Sequence, residues 1–216
     1  MVGCGNSNSN LPVKTIEFKP DQDGFLQFYT NDEKYHGKFS SMYYLDFFNT
    51  PMTTVEAEIK KVSGNPEELY GLIFCVQEIE QGQSPEQLYC LLIDTCKNFY
   101  IFKDDLPLDG NTSEYLNSGF NVINKIKITR ADNGKFTIYF NDQEAYSFTD
   151  NSYNKGTFGF GTNIGKKNEE SFPNTPVDIR CKITAYPDIE DSNSLKLNMQ
   201  QPTLKFKTSF SQNLAK

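Results

Sequence analysis

Between residues 54 and 186 the chain is a succession of short runs in which apolar and polar positions alternate. In "TVEAEIKKV", Val55, Ala57 and Ile59 alternate with Glu56, Glu58 and Lys60, the two-residue period of a strand with one buried face. "YGLIFCVQ" (70–77) and "QLYCLLI" (87–93) are apolar almost throughout, the pattern of strands buried on both faces. "NFYIFK" follows the turn-like "DTCKN". In "NKIKITRADNGKFTIYFNDQEAYSFTD", Ile126 and Ile128 oppose Lys127 and Thr129, and "DNG" (132–134) predicts a hairpin turn. Phe136, Ile138 and Phe140 then alternate with Thr137 and Tyr139, and "NDQE" predicts a second turn into "AYSF". "NKG" (154–156) leads into "TFGFGT", where glycine takes the outward positions. In "VDIRCKITAY", Val177, Ile179, Cys181 and Ile183 share one face, opposite Asp178, Arg180 and Lys182.

No stretch keeps a 3.6-residue period over a comparable length; "SPEQLYCLL" opens with a helix-cap signature and ends as a strand. Short strands at roughly 8–15-residue spacing predict an all-β protein, an antiparallel sandwich or barrel. The flanks differ in character. Residues 1–11, with "GCGNSNSNL", read as a flexible tether, and 12–187 as the folded domain. Residues 188–216 form a polar C-terminal segment in which "TLKFKTSF" (203–210) reads as one edge strand guarded by lysines.

Charge narrows the partners. A net charge of −7 argues against nucleic acid, whose binders need a basic stripe. No apolar run is long enough to span a membrane as a helix. The single histidine, His36, lies in the polar "NDEKYHGKF" and reads as an exposed loop residue; one histidine leaves little for a zinc site or a catalytic triad. No Gly-x-Ser-x-Gly elbow occurs, and "GFGTNIG" (159–165) opens no helix, so it is no phosphate cradle. Cys75, Cys90, Cys96 and Cys181 show no Cys-x-x-Cys spacing. They read as buried free thiols, with a Cys75–Cys90 bridge between successive strands as the alternative.

The run 124–162 resembles the late strands of the concanavalin A-like lectin/glucanase jelly rolls, nearest to laminin-G and 3-keto-disaccharide-hydrolase-type domains. "DFFNTPMTTVEAEIKKVSGNPEELYGLIFCVQ" and "LYCLLID" are similar to that fold's earlier strands. The usual Asn-Gly turn is here Asn141-Asp142, which puts a positive φ on an aspartate. The resemblance implies a jelly-roll β-sandwich and a function drawn from lectins, glycosidases and spacer modules. The family's glucanases carry a Glu-x-Asp-x-Glu or Glu-x-Asp-x-x-Glu strand; "QEIEQ" (77–81), "DIEDS" (188–192) and "VEAEIK" each supply carboxylates at two-residue spacing without that set. A non-catalytic glycan-binding role is therefore expected, with a glycoside hydrolase or a structural surface protein as the alternatives, and a glycan or a surface protein as partner. Outward tyrosines and neighbouring polar groups are the candidate ligand residues: Tyr89, Tyr100, Arg130, Tyr139 and Asn141. Calcium is common in such folds, and Asp104, Asp105 and Asp109 in the acidic "FKDDLPLDGN" are the candidate ligands. Finally, "VGC" before Gly-Asn-Ser resembles the end of a bacterial lipobox. It implies lipid attachment at Cys4 and an extracytoplasmic, membrane-anchored domain; a cytosolic protein with a loose start is the alternative.

Overall fold

The computed structural model describes residues 20–32, 35, 37–44, 48–77, 87–104, 106–164, 176–185 and 204–210, with backbone alone for 38, 42–44 and 204–210. Cys4, His36, Asp105, the acids of "QEIEQ" and the "DIEDS" segment lie outside the described residues.

The described strands are β1 (Leu26–Thr30), β2 (Lys38–Tyr44), β3 (Thr54–Ser63), β4 (Leu69–Val76), β5 (Tyr89–Ile93), β6 (Asn98–Lys103), β7 (Leu106–Thr112), β8 (Asn124–Arg130), β9 (Lys135–Phe140), β10 (Gln143–Thr149), β11 (Thr157–Ile164), β12 (Val177–Ala185) and β13 (Leu204–Phe210). They form two antiparallel sheets. One has six strands in the order β1-β12-β3-β8-β9-β10, the other seven in the order β13-β2-β11-β4-β5-β6-β7. Of the sandwich and the barrel that alternation leaves open, the fold is the sandwich, as the jelly-roll resemblance implied.

The core fills the space between the sheets. Val55, Ala57 and Ile59 of β3, Ile126 and Ile128 of β8, and Phe136, Ile138 and Phe140 of β9 face Tyr70, Leu72 and Phe74 of β4, Tyr89, Leu91 and Ile93 of β5, and Phe158 and Phe160 of β11. The continuous apolar runs are explained by a second layer on the outer face of the seven-stranded sheet, where Ile73, Cys90, Leu92 and Phe102 are also buried. In β11 the outward glycines have a use: a Cβ on Gly161 would stand 2.6 Å from the ring of Phe39, which crosses the sheet there.

Two expectations are corrected. The acidic stretch 102–111, read as a loop, ends β6 and builds β7, whose residues are all exposed. Pro107 and Gly110 are tolerated because β7 is an edge strand, with β6 its only neighbour in the sheet order. The described cysteines are free thiols, as expected, with Cys75 in the inner core, Cys90 in the outer layer and Cys181 buried, but Cys96 is exposed where a buried thiol was expected. Burial pushes the Cys75 thiol up to about 12, with the Arg130 charge pulling the other way.

The alternation of β3 continues past Ile59 to Lys61, which therefore points inward. Its ammonium, fully buried, pairs with the Glu68 carboxylate at 2.9 Å and also donates to the Asn65 carbonyl. The same carboxylate accepts the Asn65 N–H at 3.0 Å, so one ion pair closes the β3–β4 loop from inside.

Candidate functional site

Arg130 stands at the C-terminal end of β8, opposite Phe136 of β9. Its guanidinium carbon lies 5.5 Å from the centroid of the Phe136 ring, a cation resting on an aromatic face. Nη2 donates to Asn151 Oδ1 at 3.3 Å, while Nε is buried with no hydrogen-bond partner among the described residues. Asn151 is placed by the turn beneath it. Gly134 closes the β8–β9 hairpin at a φ of 81°, and a Cβ there would lie 1.9 Å from Asn151 Oδ1. The Asp150 N–H donates to the Gly134 carbonyl at 3.1 Å, which seats the β10–β11 loop on that turn.

Asp150 is the hub of this end. Its Oδ1 accepts the Tyr89 hydroxyl at 2.8 Å and the Ser152 N–H at 2.7 Å, and its Oδ2 accepts Lys103 Nζ at 3.3 Å. Burial works against the Asp150 charge, but hydrogen bonds from Ser152, Tyr89 and Lys103 outweigh it and hold the carboxyl down to about 2. Lys103 also donates to Ser152 Oγ and stands 5.7 Å from the centroid of the Tyr153 ring. The Tyr153 hydroxyl donates to both oxygens of Asp104, each at 3.1 Å; burial and the Asp104 charge push that phenol up to about 12. Lys155 reaches back to Asn49 Oδ1 at 3.0 Å, and the Met52 N–H donates to the Asn154 carbonyl. The loop of 150–156 is thus tied on every side, and it presents Asn151 and Ser152 exposed, with Tyr153 half-buried, beside Lys103 and Arg130.

The five expected ligand residues do not form one surface. Arg130 is at the site, and Tyr89 touches it only from inside: its ring is fully buried between Phe74 and Phe136, and its hydroxyl is held by Asp150. Tyr100 lies on the outer face of the seven-stranded sheet, against Phe102 and across Gly110. Tyr139 is on the outer face of the other sheet, beneath Lys127. Asn141 is at the far end of β9, where it adopts a φ of 51° and Asp142 one of 69°, as the missing glycine required. The Asn141 side chain accepts the Lys125 N–H and donates to the Tyr115 carbonyl and to Asn124. Alternation along a strand separates faces, and a strand's length separates ends, so polar and aromatic residues close in sequence need not share a surface.

Two of the three expected calcium ligands are otherwise engaged, and the third, Asp105, lies outside the described residues. Asp104 holds Tyr153 and the Leu88 N–H, and Asp109 accepts the Tyr146 hydroxyl across the sheet edge. Among the described residues no group of three His, Cys, Asp or Glu side chains is placed to hold a metal ion. Lys103, Asp150, Asn151, Ser152 and Tyr153 were missed by sequence reading. The polar run "TDNSYNKG" between two apolar strands was the available signal, and nothing in it pointed to Lys103, which arrives from β6.

No family model matches the chain, and no curated protein matches it in sequence. Solved structures do match. A prokaryotic β-1,3-1,4-glucanase (lichenase) derived from a mouse hindgut metagenome aligns over 78 % of this chain and 82 % of its own, at 12 % identity and a TM-score of 0.51. The metal-free Emp46p carbohydrate recognition domain covers 79 % of this chain and 92 % of its own at 10 % identity and 0.49. The carbohydrate-binding module CBM66 from Bacillus subtilis covers 76 % and 94 % at 15 % and 0.43. At these identities the likeness concerns the fold. The chain adopts the concanavalin A-like lectin/glucanase jelly-roll fold.

Proposed function

We propose that the chain is a non-catalytic glycan-binding module, held outside the cytoplasm by a lipid on Cys4, and that saccharide docks at the loop end around Arg130. The observation that carries the reading is the donor-rich set of Arg130 and Lys103, at the ends of β8 and β6, with Asn151, Ser152 and Tyr153 of a loop fixed by backbone and side-chain bonds. Saccharide sites combine an aromatic ring with a few fixed polar groups, and a rigid loop loses little entropy on binding. The glucanase that shares the fold makes saccharides the first ligand class to test.

A retaining glycosidase needs two carboxyl groups about 5 Å apart in a cleft. The paired carboxylates that the described strands offer, Glu56 and Glu58, lie on the outer face of the six-stranded sheet, opposite Lys127 and Lys125 in the ladder. Glu56 is drawn into contact with Lys125 at 3.5 Å and with the Thr184 hydroxyl at 3.0 Å. That arrangement favours binding over hydrolysis.

The test is a thermal-shift panel of neutral and acidic oligosaccharides, with calcium or EDTA, in which released sugar is assayed in the same wells. A ligand at a hundred times its Kd adds about 2.7 kcal/mol to a native state it binds alone, so a raised melting temperature without sugar release is expected. Sugar release would overturn the non-catalytic reading, and a flat panel would overturn the glycan reading.

A further inference from the structure

Arg130 has no carboxylate partner among the described residues. Its neighbour Lys103 is neutralised by Asp150 at 3.3 Å, and Arg180 is held by Asp21 and Asp178, each at 3.4 Å. What Arg130 has instead is a neutral acceptor, Asn151 Oδ1, at 3.3 Å, longer than the roughly 2.7–2.9 Å of charge-assisted bonds. Its Nε is buried and has no acceptor among the described residues, so the donors open to a ligand are those of the Nη nitrogens, which sit on the exposed side. The guanidinium is oriented all the same, by the Phe136 face below it and by a hairpin turn whose glycine lets Asn151 approach. A planar, oriented, half-buried fork of donors without an anion is the arrangement that recognises a carboxylate or sulfate.

We infer that Arg130 is an oxyanion-binding residue and that the saccharide taken at this end is acidic, carrying a carboxylate or a sulfate group. The inference rests on the glycan reading above and narrows it. The incoming oxyanion takes the Arg130 Nη donors in place of Asn151, whose amide is released to a neighbouring hydroxyl of the sugar. Because the whole chain carries a net charge of −7, it has no general attraction for polyanions; any preference for an acidic ligand has to come from a local cation.

The experiment is titration calorimetry on the full chain at about 0.15 M salt, where exposed charges are screened within about 8 Å. The probes are oligogalacturonate and its methyl ester, then dextran sulfate and dextran. One charged form is expected to bind at least about tenfold more tightly than its neutral counterpart, the order of one hydrogen bond to a charged group; which pair shows the preference identifies the oxyanion. Arg130→Gln is expected to bind both forms equally. Asn151→Asp, nearly isosteric, places a carboxylate beside the guanidinium; it should abolish the preference and raise the melting temperature, which separates loss of the site from loss of the fold. Equal binding of charged and neutral forms by the unaltered chain overturns the inference and leaves the glycan reading standing. A preference that survives in both variants overturns it by assigning the anion to another cation. Absence of binding to all four probes overturns it as well, and the glycan reading then stands or falls on the neutral oligosaccharides of the thermal-shift panel.

Discussion

A lysine at a core position is the most demanding residue in the molecule. Alternation along "TVEAEIKK" places Lys61 on the inner face with Val55, Ala57 and Ile59, so its burial is legible once the period is followed two residues further. Its partner is not legible, because Glu68 arrives only when Gly64, at a φ of 117°, turns the chain back. Burial lowers the Lys61 pKa, and the Glu68 charge and hydrogen bond pull it back up. Removing one member leaves the other charged and unpaired, so Lys61→Ala should cost about 3–5 kcal/mol in urea unfolding. Glu68→Gln keeps an acceptor and removes the charge that supports the ammonium. A base whose folded pKa lies below its unfolded one weakens the fold while protonated, and that loss is recovered as pH rises toward 10.5. The melting temperature of Glu68→Gln should therefore approach the wild-type value between neutral and alkaline pH; a constant gap would deny Lys61 this role.

At the scale of elements, the alternating strands β3, β8, β9 and β12 were readable because one face meets the core and the other meets water. The apolar runs of β4 and β5 were equally plain. β7 was not, since a seven-residue exposed edge strand containing Pro107 and Gly110 has no burial to pattern it. The site was barely legible for a related reason: Arg130 ends β8, Lys103 ends β6 and the 150–156 loop joins β10 to β11, three separate elements that each look polar and ordinary alone. The glycines on the outer face of the seven-stranded sheet divide by what confronts them. A Cβ on Gly161 meets the tip of the Phe39 ring at 2.6 Å and Ile73 at 3.0 Å, whereas one on Gly71 meets the Leu91 carbonyl oxygen at 2.0 Å. A ring tip can turn aside and a paired backbone cannot. Gly161→Ala should lose about 1–3 kcal/mol, the usual cost of overpacking, and Gly71→Ala should fail to give a cooperative melt; comparable melting temperatures for the two would refute the distinction.

For the whole molecule, the spacing of alternating strands led to an all-β sandwich or barrel, and the resemblance to jelly rolls supplied the choice of sandwich that alternation alone leaves open. The pairing of β3 with β12 and of β2 with both β11 and β13 joins segments far apart in sequence, and no local pattern encodes which distant strands meet. One further consequence lies in the tyrosine–aspartate contacts that tie this sandwich together, Tyr89 to Asp150, Tyr153 to Asp104 and Tyr146 to Asp109. With 12 tyrosines and no tryptophan, the chain's near-ultraviolet signal is phenolic, and the fold sorts those phenols by how firmly each keeps its proton. In an alkaline titration Tyr153 should ionise only near pH 12. The buried Tyr70 and Tyr89, held higher still, should ionise only as the sandwich opens. Phenolate absorbance that rises in one smooth step would mean these contacts are not closed in solution; a delayed last step makes the protein its own indicator dye, with the colour change marking the moment the two sheets part.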